Sequence, residues 1–118
     1  MEVMKKKLLF CSLLILILIS GCSQQEMDTQ EINQEPNTVI IKDFAYMPQE
    51  LNIDAGTIVT WKHDDKVVHD VVATNPPGSF ANENMQRGDK FTFTFSEPGE
   101  YEYYCSIHPS MRGKIIVK

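Results

Sequence analysis

The chain has 118 residues, 42% of them hydrophobic and 23% charged, with a net charge of −5. That length suits a single small domain. The acidic balance argues against a nucleic-acid-binding surface.

The first 21 residues read as a leader. Lys5, Lys6 and Lys7 form a basic run, and Leu8 to Ile19 is apolar apart from Cys11 and Ser12. Small residues, Ser20 and Gly21, then precede Cys22. A charged start, a short apolar stretch and a small-residue cleavage site make a secretory signal. The apolar stretch of about 12 residues is shorter than the ~20 that a spanning helix needs. Ile19-Ser20-Gly21-Cys22 resembles a bacterial lipobox. That resemblance implies cleavage before Cys22 and lipid on its sulfur, where several acyl chains anchor a domain that one chain would not. The leader carries three lysines and Glu2, so its loss takes the net charge from −5 to −7.

Residues 22–37 hold few apolar groups and no basic ones. Such a segment buries too little surface to offset its ordering entropy, so it is expected to be a flexible linker. The protein is thus expected to be exported and lipid-anchored, facing the periplasm or the cell exterior.

From Thr38 the pattern changes to short β segments separated by turn residues. Strands are predicted at Thr38 to Ile41, Leu51 to Ile53, Thr57 to Trp61, Val67 to Thr74, Lys90 to Phe95, Tyr101 to Cys105 and Lys114 to Val117. Ala55-Gly56, Asn75-Pro76-Pro77-Gly78 and Pro98-Gly99 mark turns. In Lys90 to Phe95 the three phenylalanines share one face and the two threonines the other. No window of helical length shows a 3.6-residue apolar period. The expectation for residues 38–118 is an all-β domain, a small sandwich of about seven to eight strands.

The segment richest in chemistry is Cys105-Ser106-Ile107-His108-Pro109-Ser110-Met111. Cys, His and Met recur at three-residue intervals between two predicted strands, so one tight loop turns all three toward a common point. Pro109 restricts its own backbone and that of His108. A fourth ligand has to come from elsewhere, and His69 is the candidate: it lies in an apolar run, where an unpartnered imidazole is costly. If Cys11 is removed and Cys22 lipidated, Cys105 is the one thiol left, and a lone exported thiol is open to oxidation unless something occupies it. Two histidines, a cysteine and a weak axial methionine are the ligand set of blue-copper electron-transfer sites. Zinc is the chemical competitor, although it rarely takes methionine. No oxygen cluster invites calcium or magnesium.

The chain also resembles a known family. Phe44-Ala45-Tyr46-Met47-Pro48, Ala55-Gly56-Thr57-Ile58-Val59-Thr60-Trp61, His69-Asp70-Val71, the run from Pro98 to Cys105 and the run from His108 to Lys114 are similar to the plastocyanin and amicyanin branch of the cupredoxins. The short loop is closer to amicyanin than to plastocyanin. The resemblance covers residues 39–118. It implies a Greek-key β-sandwich with one mononuclear type 1 copper ion near one end, His69, Cys105 and His108 as strong ligands, and Met111 as the axial one. It also implies that the Tyr101 hydroxyl ties down a loop corner.

Two positions depart from the family pattern. Asp70 and His63 stand where asparagine is common. By the family geometry the Asp70 carboxylate is expected to accept a hydrogen bond from Ser106, which would brace the two ligand-bearing segments and tune the metal. His63, Asp64 and Asp65 are expected to be solvated groups of a turn.

The functional expectation is a monomeric electron carrier, not an enzyme, that cycles between Cu(II) and Cu(I). Redox proteins would dock transiently near His108, against an apolar rim of Met47, Pro48, Pro76 and Pro77. No substrate pocket motif or nucleophile–base pair stands out in the sequence. Two alternatives use the same residues: a copper storage or delivery lipoprotein, and a metal-free sandwich with Cys105 as a core thiol.

Overall fold

The computed structural model describes residues 35–118. The leader, Cys22 and most of the expected linker lie outside the described residues. Among the described residues there are nine strands and no helix: β1 Thr38–Lys42, β2 Ala45–Met47, β3 Glu50–Ile53, β4 Thr57–His63, β5 His69–Asn75, β6 Pro77–Met85, β7 Lys90–Phe95, β8 Gly99–Tyr104 and β9 Arg112–Val117. They form a four-stranded sheet in the order β2-β1-β4-β7 and a five-stranded sheet in the order β3-β9-β8-β5-β6. This is the expected all-β sandwich.

Two strands were not anticipated from the sequence. β2 has only three residues. β6 has nine, with a burial pattern that does not alternate. β6 is an edge strand whose pairing with β5 is broken by irregularities between His69 and Val71 and between Val72 and Thr74. A bulged edge strand loses the period of two by which a half-buried strand is recognised.

The core follows from alternation. On β4, Val59, Trp61 and His63 face inward. On β7, Phe91, Phe93 and Phe95 turn to the same interior. Trp61 stacks on Phe91 at 5.3 Å and meets Tyr103 edge-on at 5.5 Å. Phe80, from the unanticipated β6, lies 5.2 Å from Phe93 and 5.6 Å from Trp61. Each such ring, fully buried, contributes about 1.5–3 kcal/mol relative to exposure. At the far edge of this cluster the Tyr101 hydroxyl donates to the Glu97 carbonyl at 2.8 Å, tying down a loop corner.

A two-residue turn joins β1 to β2. Asp43 and Phe44 both have positive φ, 50° and 57°. Two such residues suit the twist of a tight hairpin. Aspartate tolerates that conformation, but for a bulky phenylalanine it is an outlier.

Candidate metal centre

β5 and β8 are antiparallel neighbours, with Val72 opposite Tyr104. The start of β5 and the end of β8 therefore lie together at one end of the sandwich. His69 opens β5 instead of sitting mid-run, and Cys105 follows β8 directly. Both are fully buried. The loop from Cys105 to β9 is closed by two backbone bonds: Cys105 N–H donates to the Met111 carbonyl at 3.1 Å, and Met111 N–H to the His108 carbonyl at 2.9 Å. This turn brings His108 back over Cys105 and buries Met111 at the loop's end.

Three of the four expected ligands converge. Cys105 Sγ lies 3.8 Å from His69 Nδ1 and 3.7 Å from His108 Nδ1, and the two nitrogens are 3.2 Å apart. A triangle with these sides has a centre about 2.1 Å from each corner, close to the distances of roughly 2.0–2.3 Å that first-row ions make to imidazole nitrogen and thiolate sulfur. The donor set therefore fits a mononuclear soft-metal ion. No carboxylate belongs to the cluster. Met111 is 2% exposed and packs in the same core cluster.

The groups around the triangle are also engaged. Asp70 N–H points at Cys105 Sγ, 3.3 Å away. The Asp70 carboxylate is buried; it accepts the Ser106 hydroxyl on Oδ2 and the Asn84 N–H on Oδ1, the latter at 2.8 Å. The Tyr46 hydroxyl donates to the Asp70 carbonyl. Both ligand-bearing segments and β6 are thus joined through one residue.

Two readings of the sequence are corrected here. His63 is not a solvated imidazole: it is 3% exposed, and its ring lies 5.3 Å from that of His69. Burial, and then the neighbouring His69, hold its pKa below the usual histidine value, against the opposing pull of the Val67 carbonyl, Asp65 and Asp89. Nor is Asp65 a free turn carboxylate, because its Oδ2 lies 2.8 Å from His69 Nε2. That bond, followed by those from the Phe44 and Lys66 backbone, holds its pKa down to about 2. Asp64, by contrast, is a surface group paired with Lys42 and Arg87. The sequence carried one clue to His63. Extending the alternation Val59, Trp61 by two residues puts it on the core face.

A third correction concerns the apolar rim. Pro77 pairs with Thr74, five residues along β5 from His69. At about 3.3 Å per residue that puts Pro76 and Pro77 roughly 17 Å away, toward the other end of the sandwich. Exposed apolar groups that touch a ligand ring or adjoin a ligand in the chain are Phe44, Val68 and Ile107. Phe44 is 53% exposed, yet its ring sits edge-on to both imidazoles, 5.4 Å from His69 and 5.0 Å from His108.

Residues 9–117 match the family described as a cupredoxin-like domain. The amicyanin of Paracoccus versutus is 30% identical over 103 residues, covering 85% of this chain and 78% of that protein. Among solved structures, a purple cupredoxin from Nitrosopumilus maritimus superposes with a TM-score of 0.65 at 34% identity, covering 69% of this chain and 98% of that one. A copper-containing nitrite reductase from Thermus scotoductus gives the same TM-score and identity, but the match covers only 22% of that larger chain.

Proposed function

We infer that this chain, which belongs to the cupredoxin-like family, is a copper-binding carrier of single electrons. The observation that carries this reading is the triangle of two imidazole nitrogens and one cysteine sulfur, with sides of 3.2, 3.7 and 3.8 Å. His69, Cys105 and His108 would hold one type 1 copper ion, with Met111 as the weak axial ligand. Bound copper supplies a one-electron couple between Cu(II) and Cu(I).

The protein's own residues do the rest. The β-sandwich core holds His69 and Cys105 rigid, so the donor positions change little between oxidation states. The Asp70 N–H directed at Cys105 Sγ offsets part of the thiolate charge. Burial of Cys105 and Met111 keeps water from the sulfur side. His108 is the only one of the three converging ligands that is not fully buried, so electrons enter and leave through its edge. Phe44, whose ring meets that of His108, and the exposed chain neighbour Ile107 give that edge an apolar surround, suited to brief contact with the apolar face of a redox protein. The carrier is not an enzyme in this reading; the fold occupies about a fifth of the nitrite reductase it resembles. Cys22 would carry lipid, tethering the domain outside the cytoplasm through residues 23–37.

Copper analysis with voltammetry tests the reading. One copper per chain and a reversible one-electron wave are expected. Rapid surrender of the copper to a chelator in stopped flow would favour the delivery alternative, for which the site offers no distinguishing feature.

A further inference from the structure

His69 engages its surroundings through both ring nitrogens. Nδ1 faces Cys105 and His108, while Nε2 meets Asp65 Oδ2 at 2.8 Å. The Asp65 carboxylate is fixed from several sides. Oδ2 also accepts the Phe44 N–H at 3.1 Å, and Oδ1 accepts the Lys66 N–H at 2.7 Å. The Asp65 N–H in turn reaches Nδ1 of His63 at 3.3 Å.

His63 is an odd residue to find here. It continues the inward row of Val59 and Trp61, where an aliphatic side chain would pack without cost. Its Nε2 is buried with no hydrogen bond of good geometry, a costly arrangement for a polar nitrogen. Its ring lies 33° from parallel with that of His69. Besides the Val67 carbonyl, its ring meets the backbone N–H of Asp65, the residue whose carboxylate holds His69.

We propose that His63 is a positioning residue for His69: by accepting the Asp65 N–H and backing the His69 ring, it keeps the Asp65 carboxylate on Nε2 and so commits His69 to the tautomer with a free lone pair on Nδ1. An imidazole whose Nε2–H is held by a carboxylate presents an unprotonated Nδ1, the form a metal requires. The same carboxylate holds the strained Asp43-Phe44 turn through the Phe44 N–H, so the ring over both imidazoles is set by the same relay.

The proposal deepens the copper reading, but its first test needs no copper. In metal-free, nitrogen-15-labelled protein, long-range proton–nitrogen correlation spectra report each histidine's tautomer. The wild type should show His69 in a single Nε2–H form with a slowly exchanging Nε2 proton. His63→Ala should give a mixture of both tautomers and faster exchange, while the backbone amide spectrum of the β-sheet stays dispersed. His63→Asn should restore the single form, because asparagine Oδ1 sits where histidine Nδ1 does and can accept the same N–H. Asp65→Ala, which removes the acceptor, should reproduce the His63→Ala defect, and the double variant should be no worse, as expected for two residues in one relay. If His63→Ala fails to fold, the His63→Asn and Asp65→Ala variants still decide. A single, slowly exchanging His69 tautomer in His63→Ala or in Asp65→Ala, or an Nε2 proton in His63→Asn as labile as in Asp65→Ala, overturns the proposal. With copper added, disruption of the relay should lower affinity by about 10–100-fold. Absence of copper binding in the wild type would count against the copper reading alone and leave the tautomer result standing.

Discussion

Asp70→Asn isolates the effect of one charge on the copper couple. The Asp70 carboxylate is buried and both its oxygens accept hydrogen bonds, from Ser106 and Asn84. Asparagine keeps the shape and one acceptor, and the Ser106 hydroxyl can turn to accept from the new amide. The perturbation is therefore mainly electrostatic. The Asp70 nitrogen is 3.3 Å from Cys105 Sγ. With the carboxylate a few bonds further on, the charge lies about 7 Å from the centre of the donor triangle, and at an effective dielectric of about 20 that separation is worth roughly 2.4 kcal/mol. For a one-electron couple this corresponds to about 100 mV, and to about half of that with stronger screening. Negative charge favours Cu(II), so removing it should raise the reduction potential by about 50–100 mV. Voltammetry at neutral pH measures the shift directly. Ser106→Ala is the control: it deletes a hydrogen bond and leaves the charge, so its shift should be much smaller. A potential that stays put or falls in Asp70→Asn refutes the electrostatic role.

Four further outcomes follow from the structure. Ile107→Glu puts a charge on the apolar surround of His108; it should slow electron exchange with a redox partner while the visible spectrum is unchanged, and an unaltered rate would place docking elsewhere. Gly113→Ala drives a methyl group into the Tyr103 ring, which should cost about 1–3 kcal/mol in denaturant unfolding, as overpacked cores do. Removal of copper should lower the melting temperature yet leave dispersed β-sheet NMR signals, because the core has its own aromatic cluster; ligand at 1,000 times its dissociation constant adds only about 4 kcal/mol. Cys22→Ser should abolish incorporation of labelled palmitate into the protein, and label that persists in the variant would contradict lipid on Cys22.

The sequence carried the ligand loop because its chemistry is local. Cys105, His108 and Met111 lie within seven residues, and their spacing alone suggests convergence. The inward row of phenylalanines was equally plain, since β7 keeps a strict period of two. What the sequence hid depends on long-range pairing. β6 is polar and bulged, so nothing in its residues announced a nine-residue strand. Asp65 precedes His69 by four residues in a loop, where that separation carries no fixed geometry; only the close approach of the β1–β2 turn and the β4–β5 loop puts its carboxylate on Nε2. The prolines at 76 and 77 were misplaced because apolar composition says nothing about which end of a strand faces the site. His63 was legible in principle, as the next inward residue of β4, but its charged neighbours suggested a turn.

The most direct test of the central claim is the visible absorption spectrum of the copper-loaded domain beside that of Cys105→Ser. The Cys105 sulfur is one corner of the donor triangle and the only sulfur in it. The wild type should show an intense thiolate-to-copper band, and Cys105→Ser should lose it even where copper still binds to His69 and His108. An intense band that survives in Cys105→Ser, or a copper-loaded wild type without one, would contradict the account.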